Sequence, residues 1–155
     1  MKLKHLVVTA VALGLTTTAL AQAKPEDLIR WRQSGYKFMA WNMGRIKANV
    51  EGTYNKDQVI RAANVIQAIA NSGMGALFAP GTEKGIGWHE TNVKPEFFQP
   101  EKQTKLGEVA SAFNKEANEF AKVAASGDAA AVKAQFGKLG GSCKACHDEF
   151  RKEIK

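Results

Sequence analysis

Five residues near the end of the chain, Cys143-Lys144-Ala145-Cys146-His147, restrict its fold more than any other stretch. Residues at i, i+3 and i+4 share one face of a helix. On a helix, both thiols and the imidazole therefore point the same way. C-x-x-C-H is the attachment pattern of a c-type haem. Two thiols add across two vinyl groups and form two thioether bonds, and the adjacent imidazole ligates the iron from the same side. Other chemistries of a close cysteine pair fit worse. A structural zinc site needs four ligands, usually from two such pairs, whereas this chain has only two cysteines and three histidines. A thioredoxin-like redox pair needs a βαβ context, and nothing here reads as a strand. The pattern thus predicts one covalent haem c, with Cys143 and Cys146 as its attachment points and His147 as axial iron ligand.

The first residues fit that chemistry. Lys2 and Lys4 precede an apolar run from Leu6 to Leu20, followed by Ala19-Leu20-Ala21. A basic start, an apolar segment and a small-x-small site read as a secretory signal peptide over residues 1–21. Ala21-Gln22-Ala23 is a weaker second cleavage site. The run is short for a membrane span of about 20 residues and contains Thr16, Thr17 and Thr18 in succession, so no membrane attachment is expected after cleavage. Residues 22–155 then form one domain. Export to the periplasm agrees with the haem motif, because c-type haem is attached outside the bacterial cytoplasm.

The formal net charge of +7 falls to +5 without Lys2 and Lys4. Two ionised haem propionates would lower it to about +3. That excess can steer acidic partners. It does not point to nucleic acid, since no basic cluster is interleaved with base-stacking aromatics. The haem consumes both thiols, so no disulfide is expected.

The apolar periodicity predicts four helices. The first starts at Pro25, a favoured first helical residue, with Glu26 and Asp27 complementing the helix dipole, and stops near Gly52. Leu28, Arg32, Tyr36, Met39, Met43, Ile46 and Val50 step by three or four and form one stripe. An arginine on an inward stripe needs a partner; either a haem propionate supplies it, or Arg32 snorkels to the bundle end. Trp31, Gly35, Phe38 and Trp41 make a second apolar face. One amphipathic helix needs only one buried stripe, so the second is read as a face for a partner subunit.

The second helix starts near Asn55, with Gln58 three residues on in a capping-box-like arrangement. Its stripe is Val59, Ala62, Ala63, Ile66, Ile69 and Ala70. A connection from about 78 to 100 follows, long enough to be functional. It carries Trp88, His89, Phe97 and Phe98; its aromatics are placed to cover a haem edge, and His89 is weighed as a second iron ligand against a solvated loop residue. The third helix runs from about Glu101 to Ser126, with Leu106, Val109, Phe113, Ala117, Phe120 and Ala124 as its stripe. Gly127 stops it and Asp128 caps the fourth. Val132, Phe136, Leu139, Cys143, His147, Phe150 and Ile154 put the haem ligands on the fourth helix's core stripe. Gly140 and Gly141, each costing about 1 kcal/mol in a helix relative to Ala, leave room for a flat macrocycle or mark a kink. The fold class is all-α, an antiparallel four-helix bundle with covalent haem in its core.

With C-x-x-C-H near the end of a four-helix chain, the sequence resembles cytochrome c prime, the class II c-type cytochromes. The likeness covers nearly all of residues 22–155. Ala23-Lys24-Pro25-Glu26-Asp27, Arg32-Gln33-Ser34, Met39 and Gly44-Arg45 match the family's first helix. Phe78 and Pro80-Gly81-Thr82-Glu83 match its loop. Gly141-Ser142-Cys143-Lys144-Ala145-Cys146-His147-Asp148 and Arg151 match its haem helix. The resemblance implies a periplasmic homodimer whose first two helices form the interface. It places Arg32, Gln33, Thr82 and Glu83 by the haem and its propionates, and Arg151 beside the proximal pocket. His147 is then the only protein ligand, leaving the iron five-coordinate, and Tyr36 covers the open face where several members carry an aliphatic residue.

Three functions follow for comparison. Five-coordinate iron in an occluded pocket binds nitric oxide, carbon monoxide and other small uncharged gases. An electron carrier of the low-spin class II type takes a methionine from the first helix as sixth ligand, and Met39 or Met43 would serve, although methionine is also a common gap filler. A peroxidase wants distal acid–base groups, for which Tyr36 and Arg32 are poor substitutes. The expected function is therefore gas binding without catalysis, with a redox role beside it, electron transfer as the alternative and the redox partner unknown.

Overall fold

The computed structural model describes residues 23–153. The proposed signal peptide over residues 1–21 and Ile154 both fall outside the described residues. Four helices dominate: α1 (Pro25–Glu51), α2 (Lys56–Ala70), α3 (Gln103–Ser126) and α4 (Ala129–Phe150). Local signals set most of their ends. Pro25 opens α1, with Glu26 and Asp27 in its first turn. Asn55 caps α2, its side chain accepting from the Gln58 amide at 2.9 Å. The reciprocal half of a capping box is replaced: the Asn55 amide donates to Asn49 Oδ1 at 2.7 Å, and Asn49 Nδ2 donates to Gln58 Oε1. Asn49 thereby laces the end of α1 to the start of α2. At the other turn, Gly127 takes a left-handed φ of 79° and its amide donates to Ala124 O, a conformation cheap only for glycine. Asp128 then accepts from the Ala130 and Ala131 amides. α3 begins two residues later than Glu101, because Pro100–Lys102 first makes a 3-10 turn.

Sequential helices run antiparallel. The α1–α2 and α3–α4 turns lie at one end, where Lys56 Nζ reaches Ser126 O at 3.4 Å. The long connection spans the other end, with 3-10 turns at Met74–Leu77 and Pro95–Phe98. The core is closed by Ile46, Val59, Ile66, Phe120, Val132 and Leu139, all with no exposed area. Ala62, Ala63, Ala117 and Ala124 between them let the helices approach. The all-α, antiparallel four-helix bundle is thus as expected. Among the described residues no helix is long and apolar enough to cross a membrane.

Two stripes differ from expectation. The buried line of α1 is Ile29, Arg32, Met39, Asn42, Ile46 and Asn49; Leu28, Met43 and Val50 are half-buried and Tyr36 is exposed. The two asparagines go inside because the helix itself satisfies them: Asn42 Nδ2 donates to Phe38 O and Asn49 Nδ2 to Arg45 O, each at 2.9 Å. On α4 the buried line is Val132, Gln135, Leu139, Ser142 and Phe150. Cys143 and Cys146 are half-buried and His147 exposed, so the ligand face lies beside the core stripe and not on it. The reason is the spacing of the helices. α1 and α4 touch far less than the other three neighbouring pairs do, and the cysteines face the opening between them. The second face of α1 stays outward, with Trp31, Phe38 and Trp41 each more than half exposed. Gly35 departs from that set: a Cβ there would come within 2.9 Å of Met74 Cε.

Candidate haem site

The last turns of α4 carry the ligand set. Burial pushes both thiols up, and Cys143 in turn raises Cys146. The His147 imidazole is held below its usual range by burial first and by Arg151 second, with Asp148 opposing. Ser142 turns its hydroxyl back to Leu139 O at 2.7 Å. The end of α4 is tied to the connection, since Lys94 N donates to Phe150 O and Lys152 N to Asn92 O, at 2.9 and 2.7 Å. A Cβ at Gly140 or Gly141 would meet no other part of the protein within 4 Å. The backbone there is open, so a flat group could lie close against the helix.

Tyr36 forms the opposite wall. Its phenol is pushed up to about 12, by burial first and then by Cys146, with Arg32 opposing and Cys143 adding. The phenol therefore lies near enough to both thiols to feel their charge, although 41% of the residue is exposed. The Tyr36 ring meets Phe78 edge-on at 6.2 Å. Phe78 stacks on Phe97 at 4.4 Å, and Phe97 meets Phe150 edge-on at 5.6 Å. An aromatic wall thus runs from α1 through the connection to the end of α4.

Arg32 is 3% exposed and does not snorkel to the bundle end; its guanidinium turns to the connection. Nη1 donates to Leu77 O and Thr82 Oγ1 at 3.2 and 2.6 Å. Nη2 donates to Thr82 O and Thr91 Oγ1, both at 2.6 Å. The guanidinium also lies 4.8 Å over the Phe78 ring. The connection thus supplies four oxygens to the guanidinium. Burial lowers its pKa, with Tyr36 and Glu83 opposing.

The other expected site residues spread out. Thr82 is fully buried under Arg32. Glu83 is half-buried and accepts from the Gly81 amide at 2.8 Å. Gln33 points to the outer side, where Oε1 accepts from Trp88 N at 2.7 Å and Nε2 donates to His89 O at 2.9 Å. His89 sits there too, with Nδ1 2.8 Å from Glu90 O. Met39 is 5% exposed and packs in the core cluster. Arg151 is exposed and lines the same open cleft as His147. The structure therefore brings Cys143, Cys146, His147 and Tyr36 together, with Arg151 at the proximal rim and Arg32, Thr82 and Glu83 behind Tyr36. Thr91 was not singled out from the sequence, and a threonine in a long loop carries no signal that an arginine will find it.

Two half-buried thiols and an imidazole on one helical face, opposed by an aromatic wall and floored by two glycines, fit a flat, apolar, covalently held macrocycle. They define a c-type haem protein on a four-helix bundle. A family model described as cytochrome c' matches residues 27–151, and the chain belongs to the cytochrome c prime family. A cytochrome c' of Rhodocyclus tenuis is 69% identical over 132 residues, covering 84% of this chain and 98% of that one. The cytochrome c' of Allochromatium vinosum is 53% identical over 154 residues, covering 96% and 99%. Among solved structures, a cytochrome c' with an unusual ligand-controlled dimer dissociation superposes with a TM-score of 0.81 at 55% identity, covering 86% of this chain and all of that one. A nitric oxide complex of a leucine-to-alanine mutant of the Alcaligenes xylosoxidans protein gives 0.74 at 32% identity, covering 86% and 99%. As a member of this family the chain carries covalent haem c.

Proposed function

We propose that this is a periplasmic, homodimeric haem protein whose five-coordinate iron binds nitric oxide and carbon monoxide, and that it is not an enzyme. Cys143 and Cys146 carry the thioethers and His147 is the only protein ligand. The haem supplies an iron that cycles between Fe(III) and Fe(II) and binds small uncharged gases in its ferrous state. The chain's residues do the rest. His147 anchors the iron from α4. Tyr36 stands over the opposite side and admits only a ligand small enough to share the space or displace the ring. Arg32 fixes Phe78 and the connection behind it.

One observation carries the reading: the side chains that would fill a sixth position are engaged elsewhere. Met39 is packed in the core, Met43 lies against that core, and His89 is bound on the outer side of α1. The nitric oxide complex of a structural relative supports the same choice of ligand. The dimer rests on the exposed Trp31, Phe38 and Trp41 together with α2, on Phe38 stacking on Trp41 at 5.5 Å, and on a relative with a ligand-controlled dimer dissociation. Periplasmic location rests on the signal-peptide pattern over residues 1–21 and one domain over 22–155.

The test is an absorption spectrum of the reduced protein with and without nitric oxide and carbon monoxide. A high-spin ferrous spectrum converted by both gases is expected. A six-coordinate, low-spin spectrum in the absence of added ligand would mean methionine ligation, and electron transfer would replace gas binding. Acid–acetone should leave the haem on the wild-type chain, whereas the Cys143→Ser, Cys146→Ser double variant should yield apoprotein.

A further inference from the structure

His147 opens onto a cleft of about 510 Å³ that it shares with Lys94, Asp148, Arg151, Lys152 and Glu153. Three of those six residues are cationic. Structural needs account for one: Lys94 Nζ donates to Asp148 O at 2.9 Å, capping a free carbonyl of the last helical turn as cations there do. Asp148 is also taken, by Lys144 one turn back. Arg151 and Lys152 are different. They follow the last helical residue, and among the described residues neither has a carboxylate within 4 Å. Their backbone is fixed, because Arg151 N donates to His147 O and Lys152 N to Asn92 O. The backbones of two cations are therefore fixed beside His147, and among the described residues neither side chain forms an ion pair.

We infer that the Lys94–Arg151–Lys152 rim of this cleft is the docking surface through which a one-electron redox partner with an acidic face exchanges electrons with the haem. The inference rests on His147 being the iron ligand; it does not require that the iron bind gases. Charge complementarity identifies the partner's chemistry. An anion approaching the rim gains attraction from each cation over a distance set by the Debye length, about 30 Å at 10 mM salt and 8 Å at physiological salt. Such a surface raises encounter rates more than affinity. One electron leaves Fe(II), giving Fe(III), and enters the partner's oxidised centre, with no bond formed and no proton moved.

The test uses the reduced holoprotein and ferricyanide, a trianion reduced to ferrocyanide by that one electron. Lys152→Glu should slow oxidation about ten-fold at 10 mM salt, and the difference should shrink at 0.5 M. Lys133→Glu makes the same change of net charge fourteen residues earlier on α4, about 21 Å along the axis from His147, and should slow it less than about two-fold. Tris(phenanthroline)cobalt(III), a trication, should be accelerated by Lys152→Glu. Calorimetric titration with hexacyanochromate(III), an anion of the same charge that takes no electron, should show weaker binding to the Lys152→Glu protein and not to the Lys133→Glu protein. Equal effects at Lys133 and Lys152 would reduce the behaviour to net charge and overturn the docking surface. Slowing of both reagents by Lys152→Glu would overturn it as well. Carbon monoxide binding, measured on the same samples, reports separately on the gas-binding reading.

Discussion

The two ends of the bundle are built on different principles. At the end with the two tight turns, helices meet directly. Alanines at 62, 63, 117 and 124 bring backbones close, Asn49, Asn55 and Asp128 satisfy helix ends through side chains, and apolar residues fill what is left. At the other end α1 and α4 part, and the space is bounded by a connection that has no long helix of its own. There the packing groups are aromatic rings and one buried guanidinium, and the thiols and imidazole are only partly covered. Helix-on-helix packing yields stability and leaves no room for a cofactor. A connection held by side chains yields a wall that can be shaped around one.

Breaking the closed end should cost the most stability and the least function. Phe120 has no exposed area and touches Phe136 across α3 and α4. Phe120→Ala should lower unfolding free energy by about 3–5 kcal/mol, measured by denaturant titration. Carbon monoxide affinity of the folded fraction should stay at the wild-type value. A large change in affinity would show that the two ends are not separable.

Arg32 is the corresponding keystone of the open end. Arg32→Leu takes the side-chain donor from the Leu77 and Thr82 carbonyls and one partner from each of the Thr82 and Thr91 hydroxyls, and should cost about 3 kcal/mol. Hydrogen exchange should localise the loss to residues 77–91, with α2 and α3 protected as before. The same segment has a second point of attachment. A Cβ on Gly87 would come within 2.8 Å of Arg30 N and 2.5 Å of Gln33 Oε1, so the loop already lies as close to α1 as a backbone can. Exchange that rises uniformly across all four helices would contradict Arg32 as a local clasp.

This difference between the ends also decides what the sequence could tell. Caps and stops act over three or four residues, so Pro25, Asn55, Gly127 and Asp128 were readable, and with them the four helices. C-x-x-C-H is equally local, which is why the thiols and His147 were named from spacing alone. Arg32 was recognised as needing a partner, but its partners lie 45 to 59 residues away in a segment with no periodicity. Gln33 was placed by the haem on resemblance, yet it lies one residue round the helix from Arg32 and faces outward to Trp88. Asn42 and Asn49 were missed because periodicity scores an amide as polar, whereas a helix carbonyl four residues back makes it fit for burial. Cys143 and His147 step in register with Val132, Phe136 and Leu139, and a step of three or four does not separate that line from the adjacent one through Gln135, Leu139 and Ser142 that is buried.

The outward face of α1 belongs to neither end, and its disruption should cost less than either. Trp41 is 55% exposed, stacks on Phe38 and carries Arg45 at 4.7 Å over its ring. Trp41→Glu should weaken self-association by at least about thirty-fold, as loss of one aromatic anchor does, with the monomer as stable as before. Sedimentation showing a wild-type monomer, or an unchanged dimer in the variant, would remove this face from the interface.

The smallest effects should come from Tyr36, and they separate its bulk from its hydroxyl. The ring touches Phe78 at its edge and nothing holds the phenol oxygen by a hydrogen bond among the described residues. A gas that binds beneath it has to move the ring off that contact, and this work is subtracted from affinity. Each 1.4 kcal/mol of such work lowers affinity ten-fold, and a single aromatic contact contributes about 0.5–1.5 kcal/mol beyond its area. Tyr36→Ala should therefore bind carbon monoxide about ten-fold more tightly and associate faster, with the midpoint potential changed less. Phenylalanine keeps the ring, its edge contact and the work of moving it. Tyr36→Phe should stay within about two-fold of wild type. A phenylalanine variant that behaves like the alanine one would shift the role from bulk to the hydroxyl, and an alanine variant with unchanged affinity would move Tyr36 away from the iron altogether.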